Sequence, residues 1–146
     1  MDQILIDNWN SVVSSNDIVY MLGDFALDSK ERIKELVKLL NGRKTLILGN
    51  HDTRFIKFKW WEEESGFEKI VRNEIRYVNF NNDYIIMTHY PMTEVPQEQF
   101  NIYGHIHNNV TKNIPINSYN VSVENINYTP IELNIVIQHI KDNLLI

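Results

Sequence analysis

Three short blocks hold four of the chain's five histidines: Gly49-Asn50-His51-Asp52, Thr88-His89-Tyr90-Pro91 and Gly104-His105-Ile106-His107. Each follows a run of apolar, strand-like residues, and so does a fourth block, Gly23-Asp24. A carboxylate, an amide and several imidazoles at strand ends are the donors a transition-metal site needs. With no cysteine in the chain, the set is oxygen and nitrogen only, which suits Mn, Fe or Zn better than a sulfur-rich structural site. Asp24 alone reads better as a turn carboxylate or helix cap, and His89 alone is more often a satisfied buried histidine than a ligand. Asn50 and Asp52 could be caps of a strand-to-helix turn, but a cap does not explain His51 between them. His105 and His107 are two apart, so on an extended backbone both would face the same way. Taken together and in order, the blocks favour metal chemistry.

Strand and helix signals must place these residues. Residues 2 to about 14 carry Ile4, Leu5, Trp9, Val12 and Val13 at near-helical spacing. Residues 17–21 are a short β-branched strand ending at Gly23-Asp24. Ser29 is the expected N-cap of a helix over 30–40, with Ile33, Leu36, Val37 and Leu40 as its apolar face and Asn41-Gly42 as its stop. Residues 44–48 form the next strand and deliver Gly49-Asn50-His51-Asp52, and 55–65 read as short helical pieces. Strands over 74–80 and 84–88 flank Asn81-Asn82-Asp83 as a hairpin. Two further strands are expected at 100–103 and 119–123. A last helix opens with Thr129 as N-cap, Pro130 at N1 and Glu132 at N3. Ligand sites in open α/β sheets gather at the carboxyl ends of strands, where these blocks fall.

The bulk composition sets the class. The 146 residues are sized for one domain, 1–146, with 43% hydrophobic and 23% charged residues. A net charge of -5 argues against a broad polyanion-binding surface, so nucleic acid enters only as a substrate. No segment reaches the roughly 20 apolar residues a bilayer-spanning helix needs. Together with the absence of cysteine, this places the expected locale in a reducing cytoplasm with no membrane partner. Oligomeric state is not encoded in any of these features.

With these motifs the chain resembles the calcineurin-like metallophosphoesterases, particularly small bacterial and phage members. That family's motifs run D-x-H, G-D, G-N-H-D or E, a single His and then G-H-x-H. Gly23-Asp24, Gly49-Asn50-His51-Asp52, His89 and Gly104-His105-Ile106-His107 match the last four in order. The resemblance implies an α/β/β/α sandwich of two facing mixed β-sheets flanked by helices. It implies two divalent ions, with Mn favoured and Fe, Zn or Ni as alternatives. Asp24 would bridge them, Asn50, His89 and His105 would complete one site, and His107 would belong to the other. His51 would assist the transition state with Asp52 orienting it, while Arg54 and Tyr90 are candidate substrate contacts. The implied activity is hydrolysis of a phosphate ester, a phosphodiester or nucleotide, by a metal-bound hydroxide.

One motif departs from the pattern. D-x-H has no counterpart: Asp7-Asn8-Trp9 lies in the first helix and has no histidine. The expectation is therefore an N-terminally incomplete domain that lacks its first strand, with an open edge beside 17–21. It leaves one well-held metal site, and a second short of two ligands with only His107 and the shared Asp24. Activity would then be reduced. A truncated record and a naturally mononuclear or inactive metal-binding relative, the latter with a nucleic-acid-associated role, both fit this pattern.

Overall fold

The computed structural model describes residues 2–72, 75–107, 109 and 112–145. Glu74, the expected start of the strand over 74–80, lies outside the described residues. The chain divides into two compact units, residues 1–74 and 75–146, each organised around its own β-sheet. Helices flank both sheets, so the fold is α/β.

The first unit runs α1 (Asp2–Val12), β1 (Ile18–Met21), α2 (Lys30–Leu39), β2 (Arg43–Ile47), α3 (Asp52–Phe55), α4 (Phe58–Glu64) and β3 (Lys69–Val71). Its sheet order is β1-β2-β3, parallel throughout, with β1 at one end among the described residues. The mixed character expected of both sheets is found only in the second. β3 was not foreseen: three residues are too few for periodicity to register against the adjacent charges of Glu68 and Arg72.

Ile6 and Trp9 of helix α1, with Val13 just after it, are buried against Leu40, while Ile4 and Val12 are exposed. The apolar stripe is thus displaced from the expected one by the true helical phase. Ser29 caps α2 as the sequence implies, its hydroxyl accepting the Arg32 N–H at 3.2 Å. Ile33 and Val37 of α2 join Leu46, Leu48, Trp60, Trp61 and Phe67 in a buried cluster. Burying each large apolar side chain contributes about 1.5–3 kcal/mol. This core fixes the carboxyl ends of β1 and β2.

The second unit runs β4 (Ile75–Phe80), β5 (Asp83–Thr88), β6 (Gln99–Tyr103), β7 (Ser118–Asn120), a 3-10 helix (Val123–Ile126) and α5 (Leu133–Leu144). The order is β4-β5-β6-β7, with β4 antiparallel to β5 and the other two pairs parallel. The hairpin loop is only two residues long. Asn81 (φ 50°) and Asn82 (φ 69°) are both left-handed, as a type I′ turn requires, and Asp83 already pairs with Phe80.

Two expectations fail near the C-terminus. The strand expected at 119–123 stops at Asn120, because Val123 begins a 3-10 turn. Thr129 does not cap α5: its hydroxyl donates to Asn127 O, and Glu132 occupies the N-cap with extended backbone. Pro130 therefore precedes the helix and is not its first residue. Val136, Ile137 and Ile140 form the buried face of α5. Among the described residues no helix is long and apolar enough to cross a membrane.

Candidate metal centre

In the first unit the two strand-end loops are laced together by carboxylates. β1 is followed by Gly23 (φ 90°) and Asp24 (φ 54°), two left-handed residues in succession. For Asp24 that conformation is strained and has to be held by its surroundings. Asp52 holds it. This carboxylate is 2% exposed and accepts three main-chain N–H groups, from Asp24 and Gly49 at 2.8 Å and from Phe25 at 2.9 Å. Asp24 returns the contact, its Oδ1 accepting the His51 N–H at 2.9 Å. The Trp61 indole N–H donates to the Asp52 carbonyl at 2.8 Å and anchors α3 to α4.

Burial pushes the Asp52 carboxyl above its ordinary value; the Gly49, Phe25 and Asp24 N–H bonds pull it back, and the Asp24 charge adds to the rise. Sequence reasoning gives this carboxylate to the His51 imidazole, but its hydrogen bonds go to main-chain N–H groups. It fixes the path of the loop that carries Asp24, Asn50 and His51. Arg54 lies next in α3 and is exposed, its guanidinium 5.1 Å from the Phe55 ring. An open cleft of about 580 Å3 is lined by Lys30, Phe55, Lys57, Lys59 and Trp60 and includes none of the expected ligands.

In the second unit the strand register brings two imidazoles together. Thr88 is the register partner of Tyr103 in the parallel pair β5 and β6, so the two strands end level. The next residues emerge side by side, and the Gly104 N–H donates to His89 O at 3.2 Å. His89 Nε2 then lies 3.1 Å from His105 Nδ1. His89 is fully buried, and Tyr90 packs edge-on against both rings at 4.8 and 4.4 Å.

Asn101 fixes the 88–92 turn. Buried on β6, it donates to Ile86 O and Thr88 Oγ1 at 2.9 Å and accepts the Met92 N–H at 3.1 Å. Sequence reasoning missed Asn101; the signal was an amide between apolar Phe100 and Ile102.

The expectation that His105 and His107 share one face of an extended strand fails. β6 ends at Tyr103, and both histidines have left-handed backbone, φ 63° and 51°. His107 instead meets Glu124, its Nδ1 2.9 Å from Oε1. Burial raises the Glu124 carboxyl, but its own backbone N–H and then His107 outweigh that and leave it below the ordinary value. The fifth histidine, His139, packs edge-on to Tyr119 at 5.7 Å.

Asp24, His89 and His105 each offer one ligand atom, a carboxylate oxygen or an imidazole nitrogen. The imidazole pair fits a divalent ion on its own geometry. Two nitrogens each about 2.1 Å from an ion, at right angles, would be about 3.0 Å apart. The 3.1 Å between His89 Nε2 and His105 Nδ1 is close to that separation and is also an ordinary hydrogen-bond length. Oxygen and imidazole donors without thiolate also fit Mn, Fe, Zn or Ni by softness.

The family profile described as calcineurin-like phosphoesterase matches residues 2–144. An uncharacterized protein of Methanocaldococcus jannaschii is 35% identical over 148 residues, an alignment spanning 97% of this chain and 76% of that protein. The crystal structure of a protein of unknown function from Aquifex aeolicus is similar in fold, with a TM-score of 0.68 at 25% identity. The match covers 99% of this chain and 84% of that one.

Proposed function

The chain belongs to the calcineurin-like phosphoesterase family, and from that premise we propose that it hydrolyses phosphate esters using divalent ions held by Asp24, Asn50, His89 and His105. The observation that carries this reading is the imidazole pair of buried His89 and half-buried His105, with Nε2 and Nδ1 3.1 Å apart at level strand ends. Two imidazoles this close serve as a ligand set when a cation takes the place of the hydrogen bond between them. Bound divalent ions supply Lewis acidity and bring the pKa of water down to roughly 7.

The chain's own groups do the rest. Asp24 contributes a carboxylate from a loop that Asp52 holds rigid. His51 stands two residues into the following turn and serves as the acid that protonates the leaving oxygen. Arg54 and Tyr90 are the residues assigned to the substrate phosphate and its substituent. His107 serves a second ion. The substrate class is phosphodiesters or nucleotides, the preferred metal is Mn2+, and the site of action is the cytoplasm. Nucleic acid takes part only as substrate.

Hydrolysis of bis(p-nitrophenyl) phosphate tests this directly. Turnover should appear with Mn2+, vanish with a chelator, return on re-addition and fall on the order of a hundredfold in Asn50→Ala, which loses a ligand worth a few kcal/mol. Absent turnover, or turnover indifferent to metal or to Asn50, contradicts the reading.

A further inference from the structure

We propose that Glu124 is a positioning residue that holds the His107 imidazole in one tautomer and presents its Nε2 as a metal ligand. This rests on the phosphoesterase reading of the site. The observations lie on one short segment. Glu124, in the 3-10 helix after β7, sets Oε1 2.9 Å from His107 Nδ1. Its other oxygen, Oε2, is buried and without a hydrogen-bond partner among the described residues. The His107 carbonyl accepts two side-chain amides, from Asn120 at 2.6 Å and Asn125 at 2.8 Å. Residues 120–125 therefore clamp His107 at three points, through its ring and twice through its carbonyl.

The His107 side chain is 68% exposed, and a solvated imidazole needs no such mount. The clamp also holds a left-handed backbone, φ 51°, that a non-glycine residue adopts only under constraint. The electrostatics select the tautomer. With Oε2 dry, the carboxylate offsets its lost hydration with its own backbone N–H and with the imidazole N–H at Oε1. The proton is thereby kept on Nδ1, and the lone pair on Nε2 points away from Glu124. Carboxylates that hold a histidine in this way fix ring orientation and raise ligand basicity. Glu124 orients the ring from downstream and does not replace the two ligands of the absent D-x-H motif.

Long-range proton–nitrogen NMR of the metal-free full chain, above the histidine titration, reads the tautomer directly. His107 should be the Nδ1–H form in the wild type and in Glu124→Gln, whose amide oxygen still accepts. It should shift to the Nε2–H form in Glu124→Leu. Mn2+ titration followed by broadening of the His107 ring signals should show an affinity lower on the order of 10- to 100-fold in Glu124→Leu and largely kept in Glu124→Gln.

An Nε2–H tautomer in the wild type overturns the proposal. So does an unchanged tautomer or unchanged Mn2+ affinity in Glu124→Leu. If the leucine variant does not fold, the wild-type and glutamine tautomers decide alone. Loss of phosphodiesterase activity with the Nδ1–H tautomer intact would sink the phosphoesterase reading and leave this one standing.

Discussion

Asp52→Ala should destabilise the first unit by about 3–5 kcal/mol, a large share of the 5–15 kcal/mol typical of a whole domain. The carboxylate satisfies three buried main-chain donors, those of Asp24, Phe25 and Gly49, with bonds of 2.8–2.9 Å. Alanine leaves them orphaned, and each buried unsatisfied N–H costs about 1–3 kcal/mol before water or relaxation recovers part of it. Asp24 also loses the contact that keeps it at φ 54°. Asp52→Asn keeps the volume and one acceptor but turns an NH2 towards N–H donors, so it should lose less.

All three tryptophans, Trp9, Trp60 and Trp61, lie in the first unit, so fluorescence during urea unfolding reads the effect there. The pH dependence has a definite sign. The native Asp52 carboxyl is raised by burial, so its ionised form carries a penalty above the native pKa. That penalty is relieved as pH falls through it towards 3.8. The stability margin of wild type over Asp52→Ala should therefore widen on acidification through that window. A loss under about 1 kcal/mol would show that Asp52 does not carry the loops; a margin that narrows would show instead that its three N–H bonds outweigh burial.

His105→Ala should abolish most of the metal-dependent activity while leaving the fold nearly intact. Its ring is only half-buried, so truncation opens little cavity. Its Nδ1 faces His89 Nε2 at 3.1 Å, where the proposed ion would be held. Lewis-acid stabilisation is worth several kcal/mol, and each 1.36 kcal/mol is tenfold, so turnover should fall on the order of a thousandfold. Mn2+ affinity measured by calorimetry should fall with it, and the unfolding midpoint should barely move. Equal losses of stability and activity would assign His105 to packing instead.

The contrast between these two residues shows what was legible in the sequence. His105 is a metal-ligand type on a glycine-marked strand end, and residue type with order was enough to single it out. Asp52 was found for the wrong contact. Its partners are main-chain N–H groups that every residue possesses, so nothing in residue type points to them. Asn101 and Glu124 were missed for related reasons. Asn101 acts through strand register, which pairs Thr88 with Tyr103 and is not written in either strand alone. Glu124 depends on the left-handed turn at His107, a conformation the sequence reads as continued strand. The α2 cap at Ser29 and the Asn81-Asn82 hairpin were legible because both are local devices whose residues carry their own geometry. The α5 start was misread because a local signature, Thr129-Pro130, was used to end one turn and not to begin the helix.

Anomalous scattering from a crystal grown with Mn2+ tests the central claim most directly. The expected result is a manganese peak within bonding distance, roughly 2.1–2.3 Å, of both His89 Nε2 and His105 Nδ1. A saturating Mn2+ soak that leaves those two nitrogens hydrogen-bonded to each other, with no peak beside them, would contradict it.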